Sequence, residues 1–307
     1  MNIDIFKECF RNISIKDLVE NIDDYHNLSY SKNISEENLR KVLRRIFKVK
    51  INGRDSTFFL RSDTETYKGE LHFFYRVRKF ESQDYESLNS SLSFPSMSNE
   101  QDAWCKPDKL SLEYGRLNRP NQSVLYASYR PSDAIYETNC KTGEYFYLMV
   151  YKNSKTMRMS QIHKVNYMDE FTEMENAKRL IMHNFLLSEF TRLVPSGREY
   201  LYKSPLLIYE EYFKDPFIDG FTYPTIASNA NRGFNVCFEK YKAKQNLELQ
   251  GVIVCKLSPP NDTCEFVVEQ FYDGFLNEKN GFDFYPSTSE LAKSKFGQFS
   301  YIRNMGL

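Results

Sequence analysis

The stretch GRLNRPNQSVLYASYRPSDAIYE, residues 115–137, gathers arginine, asparagine, tyrosine and a closing glutamate around short apolar runs. A strand and a helix would need only their apolar residues in period, with no demand for Arg116, Asn118 or Glu137 at these offsets. Such groups can do chemistry: a guanidinium grips oxyanions in bidentate fashion, and a carboxylate can face developing positive charge. Each also has a structural reading, with Arg116 as a surface or ion-pair residue, Glu137 as a solvated helix residue and Tyr126 as core.

Other local chemistries are not signalled. No GxSxG, HExxH, P-loop or GxGxxG opens after a strand. His26, His72, His163 and His183 stand apart from one another, and Cys9, Cys105, Cys140, Cys237, Cys255 and Cys264 are scattered without a CxxC pair. A metal site is therefore not expected, and the cysteines read as reduced, mostly buried thiols.

The elements that must position these residues follow from periodicity. NISEENLRKVLRRIFKVK opens with Asn33 and Glu36 at capping-box spacing and repeats Leu39, Val42, Leu43, Ile46 and Phe47 at helical steps. Its other face carries Arg40, Lys41, Arg44 and Arg45, which reads as a solvated face, with contact to an anionic partner as the alternative. Short strands around Asn52-Gly53 follow, and the polar run RSDTETYKGE places a boundary near residue 68. From LHFFYRVRKF onward strands and helices intermingle. SVLYAS and GEYFYLMVYK read as strands flanking a helix that opens at Pro131 and Ser132. Between them and the first strand, residues 81–110 read as a long serine-rich loop carrying Trp104, the single tryptophan, and suited to a lid or binding element. MDEFTEMENAKRLIMHNFLLSEFTRLV predicts a helix with Phe171, Met174, Leu180, Ile181, Phe185 and Phe190 facing the core. SPLLIYEEYFK predicts a second, and GFTYPTIAS, GFNVCFEKYK and ELQGVIVCKLS read as strands. Without regular βαβ alternation the fold class is α+β, with residues 1–68 a mainly helical N-terminal appendage and 69–307 a single larger domain.

Composition bounds the partners. In 307 residues, 41 basic and 41 acidic side chains balance, so no global field draws in nucleic acid or an anionic membrane. No signal core or membrane-length apolar run is seen, which predicts a soluble, cytoplasmic protein.

Four blocks in order, FFYRVR, GRLNRP, VLYASYRPSDAIYE and DGFTYPTIASNANRGFNVCF, resemble the RES domain family, toxins named for an arginine, a glutamate and a serine. The resemblance spans roughly residues 70–240. It aligns Arg76 with the family's first-strand arginine, Arg116 and Asn118 with its GR-aromatic-N turn, Tyr126 with its LY strand, Glu137 with its helix glutamate and Asn235 with its late asparagine. Leu117 replaces the usual aromatic. Thr225 stands where the serine belongs, keeping the hydroxyl but adding a methyl, with Ser228 as the alternative source of that hydroxyl.

The resemblance implies an ADP-ribosyltransferase-like mixed sheet with flanking helices that takes NAD+ as its substrate, without a metal, and breaks the nicotinamide–ribose bond by hydrolysis or phosphorolysis. Arg76 and Arg116 would bind the pyrophosphate. Glu137 would stabilise an oxocarbenium-like ribose, Tyr126 would stack on or wall off the nicotinamide, and the Thr225 hydroxyl would orient the ribose or amide. Transfer of ADP-ribose to a protein target, or NAD binding without turnover, are the alternative outcomes. A separate antitoxin protein is implied in the same way. The N-terminal region reads equally as a structural cap or as a regulatory or oligomerising segment.

Overall fold

The computed structural model describes residues 3–51, 53–57, 64–67, 72–88, 93–162, 167–225, 233–259 and 267–296. By its internal contacts the chain divides into two units. The first comprises Met1–Glu65, Asp108–Gln122 and Ser160–Tyr223, and the second comprises Thr66–Pro107, Ser123–Met159 and Pro224–Leu307. The division is discontinuous, so the N-terminal 65 residues share a unit with two later segments. Residues 68–71, where the expected boundary falls, lie outside the described set, as do Asn52, His163, Ser228 and Cys264.

The first unit is mainly helical. Ile15–Ser29 starts at the cap Ser14, whose hydroxyl accepts from the Asp17 amide, and buries Leu18, Ile22, Tyr25 and Ser29 along one stripe. Glu36–Ile46 buries Leu39, Val42, Leu43 and Ile46 as its periodicity predicts. Its cap, however, is Ser35, accepting from the Asn38 amide, and not Asn33. A serine immediately before two glutamates serves the helix start better, because those acids then fall in the first turn. Lys48–Ile51 and Arg54–Thr57 form the expected antiparallel hairpin.

The long helix Glu173–Phe190 opens on a capping box between Thr172 and Glu175, and here the predicted stripe is corrected. Met174 is 57% exposed and Leu180 37%. The buried face instead carries Met182, Phe185, Leu186 and Phe190 together with Glu175, Asn176, Lys178 and Glu189. Those polar groups are buried because they are partnered. Lys178 Nζ donates to the Phe10 and Arg11 carbonyls at the end of helix Ile3–Arg11, and Glu175 accepts from Arg11 at 2.8 Å. Phe185 is the aromatic hub, with Tyr25, His26 and Phe47 rings 5.3, 5.7 and 6.1 Å away. The helix predicted at SPLLIYEEYFK is an α-helical stretch, Lys203–Ile208, continued by a π turn, Tyr209–Phe213.

Seven strands wholly within the second unit lie in the order Phe282–Pro286, Val267–Leu276, Leu247–Ser258, Tyr145–Asn153, Phe73–Lys79, Val124–Ser128 and Phe234–Glu239, each antiparallel to its neighbours. The class is α+β. Tyr145–Asn153 lies at the middle of this order, and its residues 146–151 are buried on both faces, so that part reads as an apolar run rather than an alternation.

One face of the sheet packs Phe74, Leu125, Tyr151, Val236 and Phe238 with Phe94, Met97, Ala103 and Trp104. In its described residues, the 81–110 segment is therefore not an open loop. It holds short helical stretches at Ser82–Ser87, Pro95–Met97, Glu100–Ala103 and Asp108–Leu110, and Trp104 is 4% exposed. The opposite face packs Tyr75, Val77, Leu148, Val150 and Ile253 with Ala134 and Ile135 of the helix Pro131–Glu137.

Candidate functional site

Pro131 opens the short helix at a position where a missing amide hydrogen costs nothing, and Asp133 in its first turn accepts both arms of Arg130 at 2.9 Å. Asp133 is fully buried. Against it lies Gly233, where a Cβ would fall 2.3 Å from Asp133 Oδ2. Only glycine lets the backbone come that close. The Gly233 carbonyl accepts from the Thr225 amide at 3.0 Å, and the strand Phe234–Glu239 begins at the next residue. Thr225, Asn235 and the end of the helix are thereby set side by side.

Glu137, the last residue of that helix, is the point of convergence. Thr225 Oγ1 and Asn235 Nδ2 both donate to Glu137 Oε1, each at 2.7 Å. Thr225 is 2% exposed and Asn235 4%, whereas Glu137 is exposed. Behind them Ser128 Oγ donates to Asn235 Oδ1 at 2.8 Å. Ser128 and Asn235 are direct cross-strand partners, so their side chains share a face of the sheet. Tyr126, two residues along the same strand, is half-buried and shares that face by parity.

Three buried polar groups that lead to an exposed carboxylate are an expensive arrangement for a helix end that water could satisfy. Its effect is to hold the carboxylate in one orientation. Hydrogen bonds to a charged acceptor are worth about 1.5–3 kcal/mol each. The hydroxyl and the amide orient the carboxylate without adding positive charge.

Of the residues singled out in the sequence, the structure joins Glu137, Thr225 and Asn235 and puts Tyr126 on their side of the sheet. Arg76 is not among them. It alternates with Tyr75 and Val77, pairs in register with Met149 and donates from Nη1 to the Trp104 carbonyl, all on the opposite face from the Glu137 helix. The structure therefore does not bring Arg76 together with Glu137, in contrast to the single cleft expected for the two.

Arg116 and Asn118 belong to the first unit. Arg116 Nε donates to the Phe190 carbonyl and its Nη2 to the Arg192 carbonyl, both at 3.0 Å. Its guanidinium lies 5.1 Å from the Tyr202 ring centroid and 5.9 Å from that of Tyr223. It closes the C-terminus of the long helix, where orphan carbonyls and the helix dipole favour a cation. Asn118 is buried and closes a tight turn, its carbonyl accepting from the Gly115 amide at 3.0 Å and its Nδ2 donating to the Arg119 carbonyl at 3.1 Å. Thr225 also takes a role other than the expected one: its hydroxyl donates to Glu137 rather than standing open to a ligand.

Ser128, Arg130, Asp133 and Gly233 complete the arrangement and were not singled out from the sequence as site residues. The parity of VLYAS, which puts Tyr126 and Ser128 on one face, was the available signal for Ser128. Among the described cysteines, Cys9, Cys105, Cys237 and Cys255 are buried. Cys140 is half-buried, and burial pushes its pKa up to about 11, so it is a poor nucleophile near neutrality. No helix of the described residues is long and apolar enough to cross a membrane. Compared with known proteins, the chain matches no family model and no curated protein.

Proposed function

We propose that this protein binds NAD+ and cleaves its nicotinamide–ribose bond, in the manner of a RES-type toxin that depletes NAD. The observation that carries the proposal is the exposed Glu137 carboxylate, held through Oε1 by the buried hydroxyl of Thr225 and the buried amide of Asn235. The order and spacing of the four sequence blocks, in which these three residues occupy aligned positions, supports the same reading.

In the reaction the C–N bond to nicotinamide breaks and its electron pair leaves with the pyridine nitrogen, which is thereby neutralised and needs no acid. The ribose carbon becomes electron-poor, and Glu137 stabilises that charge. Water, phosphate or a protein nucleophile then forms the new bond to that carbon and gives up a proton. Thr225 and Asn235 fix the plane of the carboxylate so that little reorganisation is needed as charge develops. Tyr126 offers a ring for the nicotinamide. Arg76 has no part in this reading, because it lies on the other face of the sheet.

The test is mass spectrometry of NAD+ incubated with purified protein, with and without phosphate and with candidate acceptors. Free nicotinamide together with ADP-ribose or its phosphorylated form supports the proposal, and a protein adduct assigns transfer instead. NAD+ left intact under all conditions sinks the proposal. In cells, expression alone in bacteria is expected to lower NAD and arrest growth.

A further inference from the structure

The direction of the hydrogen bonds behind Glu137 follows from chemistry. An ionised carboxylate only accepts, so Asn235 must turn Nδ2 toward it and Oδ1 away. Oδ1 then needs a donor, because Asn235 is 4% exposed and an unpartnered amide oxygen at that depth is costly. Ser128 Oγ supplies it at 2.8 Å from the facing position of the neighbouring strand. Ser128 is 2% exposed. The opposite amide orientation would set oxygen against the carboxylate oxygen.

We propose that Ser128 is a positioning residue for Glu137, acting through Asn235: by donating to Oδ1 it holds the amide in the orientation that presents Nδ2 to the carboxylate. Its consequence for turnover rests on the reading of Glu137 as the carboxylate that faces the ribose. Removing the Ser128 hydroxyl leaves Oδ1 without this donor and the amide less firmly held, loosening the bond from Asn235 to Glu137. The bond from Thr225 remains, so the loss is partial.

Two measurements on the full chain test this. In protein labelled with 15N-asparagine, the Asn235 side-chain amide protons are expected to be protected from exchange in the parent and in Ser128→Thr, and to lose that protection in Ser128→Ala. Ser128→Cys, whose thiol is a weak donor, is expected to change in the same direction and serves if the alanine variant does not fold. In kinetics with NAD+, Ser128→Ala is expected to lower kcat roughly 3- to 10-fold with KM nearly unchanged, the range a single neutral hydrogen bond spans. In an Asn235→Ala background the same change is expected to cost nothing further, which a general structural defect would not reproduce. Unchanged protection of the Asn235 amide in Ser128→Ala overturns the inference, as does a full additional loss in the double variant. If the parent leaves NAD+ intact, the NAD reading falls, and the amide measurement alone decides the role of Ser128.

Discussion

A carboxylate cluster of the first unit and Glu137 in the second are held by different kinds of donor. In the first, Arg119 donates from Nε and Nη2 to Glu210 at 2.9 and 2.7 Å and from Nη1 to Glu36 at 2.6 Å. Arg40 also binds Glu210 and Glu211, and Arg44 adds a contact to Glu211 at 3.1 Å. In the second, a hydroxyl and an amide hold Glu137. Arginine cancels the charge it binds; neutral donors orient it. The first arrangement staples helix Glu36–Ile46 to the turn at Tyr209–Phe213 and to the 108–122 segment. The second fixes the orientation of an exposed carboxylate, which the proposed chemistry at an electron-poor ribose would use. Residues that look alike in sequence thus divide by the partners their neighbours provide.

The largest expected effect is at Glu137. Glu137→Gln keeps the shape and removes the charge, so kcat for NAD+ cleavage should fall by about 10²-fold or more while the melting temperature stays near the parental value. A parental rate in this variant would remove Glu137 from the chemistry. Thr225→Val should follow, with a roughly 5- to 150-fold loss in kcat/KM, because a buried donor to a charged acceptor is replaced by a methyl of similar shape. Thr225→Ser, which keeps the hydroxyl, should lose far less. If valine is harmless, the bond at 2.7 Å contributes nothing to turnover.

In the first unit the effects should appear in stability. Arg116→Lys keeps the charge but cannot reach both carbonyls with one planar fork, so unfolding in urea should show a loss of about 1–2 kcal/mol. Parental stability combined with weakened NAD+ affinity would return Arg116 to the ligand. The smallest effect is at Glu36, whose pKa lies below its ordinary value chiefly because Arg119 donates to it. A carboxylate with a depressed folded pKa contributes stability that is complete above its unfolded value, near 4.5, and is lost as pH falls through the folded one. The urea midpoints of the parent and Glu36→Gln should therefore differ at pH 6 and converge toward pH 3. A gap that persists at pH 3 would mean that the Glu36 ion pair is not its source.

Periodicity read the fold correctly where one face is apolar and buried, as in Glu36–Ile46. It failed on Glu173–Phe190, where Glu175, Lys178 and Glu189 are buried with partners from distant parts of the unit, so the true core face looked polar. It also took the 81–110 segment for a loop, since Phe94, Met97 and Trp104 are buried there without repeating at a regular interval. Glu137, Thr225 and Asn235 were singled out through the spacing of the sequence blocks, and Thr225 and Asn235 each lie within hydrogen-bonding distance of Glu137. Arg76 was misplaced because spacing says nothing about faces: the alternation of FFYRVRK puts Arg76 opposite Tyr75, but only the packing of Ala134 and Ile135 shows which face the Glu137 helix covers. For Ser128, parity gives only the face, whereas its bond to Asn235 depends on a cross-strand register that a local pattern does not encode.

The most direct measurement is the release of nicotinamide from NAD+ by purified parent protein and by Glu137→Gln at equal concentration and matched folded content. Steady release by the parent and a rate at least about 100-fold lower in the variant are expected. Equal release by the two proteins, or none from either, would rule out Glu137-dependent NAD+ cleavage.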